Sequence, residues 1–282
     1  MTEPLESLRS SYQETFAQQI RSHAIKMVAR ARASHIGGAL SMTELLSVLY
    51  SETLRVYPEN PQAIDRDRFI LSKGHCCTAL YAALALRGFF PMDELETYGQ
   101  DGSRLMSHVS HKVPGVEFST GSLGHGLPFG CGKALAAKRQ RRDWRVFVML
   151  SDGEMDEGSN WEAILCAPQL GLDNLVAIVD YNKIQSLGSV CEVMELEPLA
   201  DKFRAFRWAV QEVDGHNLDA IRVALGTVPW VPGRPSVLVA HTTKGKGVSF
   251  MENDLAWHYK SPNSGQARQA EIEILNCENG LH

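Results

Sequence analysis

The sequence predicts an α/β protein with a doubly wound, mostly parallel sheet and helices on both faces, and three observations point there. Two apolar β-type runs, residues 146–150 and 175–179, are separated by residues 155–172, which have the length and composition of a crossover helix. Strand, helix and strand at this spacing form a βαβ unit, so the two strands lie parallel and close together. A third run, Ser236–His241, is continuously apolar up to its last residue, as a strand buried on both faces of a parallel sheet would be. The first two runs end in oxygen-bearing side chains, Asp152 after one, Asp180 and Asn182 after the other. Open α/β sheets bind ligands at the carboxyl ends of their strands. A carboxylate and an amide oxygen converging there, beside Gly153, suit Mg²⁺, which prefers a few hard oxygens plus a ligand's phosphates. The plainer alternative is that Asp152 caps the helix and Asn182 occupies a turn.

Each element follows from local pattern. Residues 5–33 read as an amphipathic helix, with Leu5, Leu8, Tyr12, Phe16, Ile20, Ala24 and Met27 near a 3.6-residue period. Residues 34–39 interrupt it, with Gly37 and Gly38 allowing a tight passage beside His35, and a second helix spans 43–54. Judged locally, His35 is a capping or solvated residue. Residues 68–72 form a strand, Lys73-Gly74-His75 its exit turn, and Cys77–Leu86 an apolar helix. His75 therefore stands at a strand-to-helix junction, where a functional role and a structural hydrogen bond are equal readings.

Residues 106–132 form a long glycine-rich loop, of the kind that is usually functional. Gly121, Gly124, Gly126, Gly130 and Gly132 allow backbone N–H groups to face an anion or a flat ring, and a helix over 129–138 would offer its N-terminus to phosphate. Neither a GxGxxG after a strand nor a Walker A sequence occurs. His108 and His111 lack a third ligand in register, which favours loop hydrogen bonds over a metal pair. Residues 208–213 and Ser236–His241 are two further parallel strands. The Gly- and Lys-bearing loop 242–254 leads to Trp257-His258-Tyr259, and a polar tail turns helical towards Leu275. No repeat or linker divides the chain, so residues 1–282 read as one domain.

With 282 residues and 44% hydrophobic content, the chain can bury a full core. A net charge of −5 argues against a dedicated nucleic-acid binder, and the basic run 138–142 reads as a helix C-terminus complementing its dipole. Cys76, Cys77, Cys131, Cys166, Cys191 and Cys277 show no CxxC spacing, which suggests reduced, packed thiols and a cytoplasmic protein. The polar, acidic start is no signal peptide, and no stretch of eighteen apolar residues spans a membrane.

Asp152-Gly153-Glu154, with Asn182 thirty residues further on and Lys183-Ile184 behind it, resembles the thiamine diphosphate motif, Ser151 standing where its first Gly is usual. The resemblance is to transketolases and extends along the chain. Residues 34–39 (SHIGGA), 71–75 (LSKGH), 114–124 with its STGSLG, and 244–247 (KGKG) look like transketolase segments in family order.

This resemblance implies a thiamine diphosphate-binding fold of the diphosphate-binding (PP) type, with thiamine diphosphate and Mg²⁺, or Ca²⁺ or Mn²⁺ in its place, as cofactors. It implies that His35, His108 and His258 contact the donor sugar or its reacting hydroxyls, that His258 also touches the cofactor, and that His75 lies near the diphosphate. It puts Gly121, Ser122 and Leu123 around the cofactor with Gly153 and Glu154, makes Asp152, Asn182 and the Ile184 carbonyl the metal ligands, and sets Glu157 and Glu162 at a dimer interface. His125 stands where the family usually has Gln, and the loop around His111 and Lys112 is unusual, which leaves substrate choice open. Transketolases usually run to more than twice this length, and the Glu that contacts the aminopyrimidine lies in their second domain. The chain thus looks like the N-terminal subunit of a split transketolase. A separately encoded C-terminal subunit would complete the site, in an assembly such as α2β2, for ketol transfer between sugar phosphates. The rival readings are the α subunit of a 2-oxo acid dehydrogenase, a cofactor-binding subunit without turnover, and an interaction-only protein. The histidines favour ketose chemistry over the first, and the last gives no reason for polar groups to collect at strand ends.

Overall fold

The computed structural model describes residues 3–276, with side chains from Arg9 onward, so Leu5, Leu8 and Cys277 lie outside what it describes. Helix α1 (Glu3–Ala31) buries Phe16, Ile20, Ala24 and Met27, the face that the 3.6-residue spacing marks. Tyr12, expected on that face, is 51% exposed and stacks on Phe16 instead. The break in helical structure falls at Ser34 and His35 rather than at the glycines, which lie inside α2 (Ile36–Ser41). The helix expected to reach Leu54 is α3 (Thr43–Val48) followed by one π-helical turn, Leu49–Thr53, where the Leu54 N–H donates to the Leu49 carbonyl at 2.8 Å. The wide turn lets the chain leave in extended geometry at Leu54.

Strand β1 (Arg68–Leu71) and helix α4 (Cys77–Leu86) match the sequence reading, and α4 is buried on all sides as its apolar composition requires. Helix α5 (Gly126–Arg139) starts earlier than expected because its first turn docks on the exit of β1. The Gly126 N–H donates to Ser72 Oγ at 3.1 Å, and a Cβ at Gly126 would sit only 2.2 Å from that oxygen. The first N–H of α5 is thus committed to Ser72 rather than open to a phosphate.

Strand β2 (Val146–Ser151), helix α6 (Gly158–Gln169) and strand β3 (Leu175–Tyr181) make the expected βαβ unit. Its crossover is broken, a 3₁₀ turn at Gly153–Asp156 giving way to an extended Glu157 before α6 begins. The short α7 (Val190–Val193) and α8 (Leu199–Ala205) lead to β4 (Ala209–Asp214), then α9 (Leu218–Gly226), β5 (Ser236–His241) and α10 (Ser264–Asn276).

All five strands are parallel, in the order β1-β2-β3-β5-β4. Successive side chains alternate between two cores: Phe147 and Met149 of β2 face the layer of α1, α3, α4 and α9, while Val146, Val148 and Leu150 face α5, α6 and α8. The sheet is therefore doubly wound, and β2, β3 and most of β5 are buried. The edge strand β4 is only partly covered. Among the described cysteines Cys76, Cys77 and Cys131 are buried free thiols, as expected, whereas Cys166 and Cys191 are exposed. No helix among the described residues is long and apolar enough to cross a membrane.

Candidate active site at the carboxyl ends of the strands

The loops that leave β1, β2, β3 and β5 meet over the sheet and enclose a cavity of about 240 Å³. Asp152 enters it from the end of β2, and Asn182 and Ile184 from the end of β3. The parallel pairing of β2 with β3 puts these two exits side by side, as the βαβ reading required. Lys183 takes a left-handed φ of 66°, so its backbone N–H turns back and donates to Asp152 Oδ2 at 2.6 Å. The other carboxylate oxygen of Asp152 accepts from the Gly153 N–H at 2.7 Å. Asn182 Oδ1 accepts from the Ile184 N–H at 3.1 Å.

Four histidines converge on the same cavity, each from a different segment. His35 is the centre of the group, its ring centroid 5.1 Å from that of His75, 5.9 Å from His108 and 5.1 Å from His258. The left-handed φ of 70° at His35 points its N–H to the His258 carbonyl, a 2.7 Å bond that ties the α1–α2 junction to the loop after β5. The cap-or-solvent reading of His35 is therefore replaced by a packed position against three other imidazoles.

Burial, helped by His108 and then Lys244, pushes His35 down to about 4, and burial beside Lys244 pushes His258 down to about 3, while burial beside Lys73 holds His75 well below the usual imidazole range. His108 is lowered by burial too. Near neutral pH these rings are uncharged, able to accept a proton.

Two lysines reach the site that sequence reading had left in turns. Lys73 is buried, pairs with Asp180 and donates to the Gly38 carbonyl at 3.1 Å. Burial would favour its neutral form, but the Asp180 carboxylate outweighs that and keeps it charged. Asp180, inside β3, also accepts from Ser41 and Thr242, so its carboxylate is already engaged. An acid within an otherwise apolar strand was the signal for this network, because a buried charge requires a partner. Lys244 is 2% exposed and donates to the Ile184 carbonyl at 2.8 Å and to His258 Nδ1 at 3.0 Å. Since the ammonium donates, Nδ1 of His258 accepts and Nε2 carries the proton. Burial pushes Lys244 down to about 8.

Other expected residues divide. Gly121, Leu123 and Gly153 line the cavity; Ser122 is exposed and does not. Glu154 is wholly buried behind the wall, accepting from Ser72 Oγ and from the Gly124 N–H at 2.9 Å. It fastens the glycine loop to the exit of β1. His111 bonds Ser119 at 2.7 Å and His125 bonds the Leu123 carbonyl at 3.0 Å, both outside the cavity. Glu157 and Glu162 are exposed near the start of α6.

The donors present suit a divalent cation. Asp152 is 2% exposed and makes no ion pair among the described residues, so burial and the nearby Asp180 push its carboxyl up to about 6. A bound cation would reverse that penalty. One carboxylate, one amide oxygen and one carbonyl are hard ligands of the Mg²⁺ type. Among the described residues no group of three His, Cys, Asp or Glu is placed to hold a metal. A larger hollow of about 730 Å³ lies elsewhere, between α1 and the start of α9. There Glu44 pairs with Arg21 and accepts from His216 at 3.1 Å, and the other His216 nitrogen accepts from the Thr243 N–H at 2.8 Å.

Residues 12–273 match the family model described as "Transketolase, thiamine diphosphate binding domain". The chain is 42% identical over 261 residues to an apulose-4-phosphate transketolase subunit of Phocaeicola vulgatus, covering 93% of each. It is 43% identical over 243 residues to the 6-deoxy-6-sulfo-D-fructose transketolase subunit SqwG of a Clostridium species, covering 86% of this chain and 88% of that one. Among solved structures, a Pichia stipitis transketolase variant superposes with a TM-score of 0.89 at 30% identity, over 93% of this chain and 40% of that one. The Campylobacter jejuni transketolase gives the same TM-score at 29% identity, and again this chain spans well under half of its length. With its fold, its length-wide family match and its likeness to separate transketolase subunits, the chain belongs to the transketolase family, as an enzyme subunit that carries the thiamine diphosphate-binding domain.

Proposed function

We propose that residues 1–282 fold as one domain that acts as the N-terminal subunit of a split transketolase. It transfers a two-carbon ketol unit from a ketose, or its phosphate, to an aldose, or its phosphate, once a separately encoded pyrimidine-binding subunit completes the site. The observation that carries this reading is the convergence of neutral His35, His108 and His258 on the cavity that holds Asp152 and Asn182.

Asp152, Asn182 Oδ1 and the Ile184 carbonyl would hold Mg²⁺, with Ca²⁺ or Mn²⁺ able to replace it, and Gly121, Leu123, Gly153 and His75 would line the cofactor. When bound, thiamine diphosphate supplies a nucleophilic carbon and an electron sink for the two-carbon fragment. His35 or His108 would accept the single proton of the ketose hydroxyl next to the bond that breaks, and a bound anionic cofactor would raise the basicity of both. His258 keeps Nδ1 on Lys244 and so presents its Nε2–H to a substrate oxygen. The lowered pKa values keep these imidazoles unprotonated near pH 7.

Exposed Glu157, Glu162 and Leu165, which is 61% exposed, support an interface between two copies of this chain, and thus an α2β2 assembly. The five described cysteines pair in no disulfide, which is in keeping with the cytoplasm. The test is a calorimetric titration of thiamine diphosphate with Mg²⁺ into the chain, alone and with the pyrimidine-binding subunit, followed by a two-carbon transfer assay. Binding with transfer in the mixture is expected. No binding in either case would remove the function.

A further inference from the structure

Gln185 lies on the cavity wall beside Asp152 and Gly153 and is only 9% exposed, yet among the described residues its amide nitrogen has no hydrogen-bond partner. Leaving a buried amide N–H₂ unsatisfied is costly, so such a donor marks a place where an acceptor is missing. The side chain is not loose. Its Cβ, Cγ and Cδ cover the open face of Gly153, where an added Cβ would meet them at 3.2–3.6 Å. The backbone beneath is a tight hairpin: the Gln185 N–H donates to the Gly188 carbonyl at 2.9 Å, the Val190 N–H to the Lys183 carbonyl at 2.9 Å, and Ile184 bridges Ser189. The same hairpin is tied to Asp152 through the Lys183 N–H. The Gln185 amide leans towards the exposed Asp156 and favours its carboxylate form, but no hydrogen bond closes between them.

We infer that Gln185 is a further cofactor-binding residue of this site, its amide Nε2 donating to an anionic oxygen of the cofactor's diphosphate. The inference rests on the thiamine diphosphate reading of the cavity. It follows from position: Gln185 stands over the first glycine after Asp152, beside the oxygens that would hold the metal, so the acceptor that reaches it belongs to the diphosphate end of the ligand. The apo chain carries an unsatisfied donor that the bound anion relieves, which shifts stability into binding. Removing the amide should therefore weaken the ligand without weakening the fold, a split that a structural hydrogen bond would not show.

The test uses the full chain, alone and with the pyrimidine-binding subunit, with two probes in the presence of Mg²⁺: thiamine diphosphate and inorganic diphosphate. Gln185→Met keeps the stem over Gly153 and deletes the amide, and Gln185→Glu keeps the length and puts a carboxylate in its place. For Gln185→Met, Kd for both probes should rise roughly tenfold or more, as for one lost hydrogen bond to a charged group. Gln185→Glu should bind more weakly still. The ligand-free Tm of Gln185→Met should match or exceed that of the unmodified chain. Kd values within twofold of the unmodified chain would overturn the inference. So would a lower Tm with equal losses in both variants, since that pattern means a damaged hairpin or a lost contact to Asp156. If the unmodified chain binds neither probe, the cofactor reading fails first, and this inference with it.

Discussion

Asp152 carries the sharpest single-residue prediction. Its carboxylate is the one acidic oxygen donor of the proposed metal set, so Asp152→Ala should abolish the rise in Tm that Mg²⁺ with thiamine diphosphate produces in the unmodified chain. Undiminished thermal stabilisation in that variant would sink the metal assignment. His35→Ala and His258→Ala should behave differently, leaving cofactor Kd within a fewfold while turnover falls on the order of 10²-fold or more, as for loss of acid–base groups. Asp152 and Asn182 were legible because each ends an apolar strand pattern, whereas His35, read locally as a cap, His108 and His258 came into view only through the family resemblance. Lys73 and Lys244 were not, since their partners Asp180 and His258 are set by packing. Glu154 shows the converse: inside the motif, it faces away from the cavity and holds Gly124 instead.

The secondary-structure elements were read well where period and composition agree, as in α4 and β5. They were misjudged at junctions, where a side chain from elsewhere decides the boundary. Ser72 draws the start of α5 back to Gly126, and the break near His35 depends on the carbonyl of His258. The loop after β5 gives a test of the same kind. Gly245 has φ 79°, and a Cβ there would lie 2.3 Å from the Met251 carbonyl oxygen. Gly245→Ala should cost about 2 kcal/mol, lowering Tm by roughly 3 °C, and should also weaken cofactor binding because the neighbouring Lys244 is displaced. Calorimetry on the variant would check both, and an unchanged Tm would mean that the loop has room to relax.

Titration links the site to the stability of the entire domain. His35 and His258, lowered to about 4 and about 3, stay neutral in the folded chain while the unfolded chain takes up protons near pH 6.5. Their contribution is complete above that pH and is lost as acid is added from about 6.5 downwards. Asp152, raised to about 6, acts in the opposite sense: the folded chain is protonated first, so it gains stability as the pH falls below 6. With several buried histidines against this carboxyl, Tm should be lower at pH 5 than at pH 7.5, and His35→Asn should flatten the dependence. A slope unaltered by that substitution would show that His35 is not the neutral, buried ring described.

Read alone, the sequence was sufficient for the alternation of strand and helix, the parallel pairing of β2 with β3 and the placing of Asp152 and Asn182 at their exits. These depend on hydrophobic period and on a short crossover, both of which are local. The strand order was decided only in three dimensions. A strand buried on both faces carries no mark of its neighbours, so nothing local shows that β5 inserts between β3 and β4. That insertion brings the loop of Lys244 and His258 against the exit of β3, and so gathers four histidines from distant segments into one cavity.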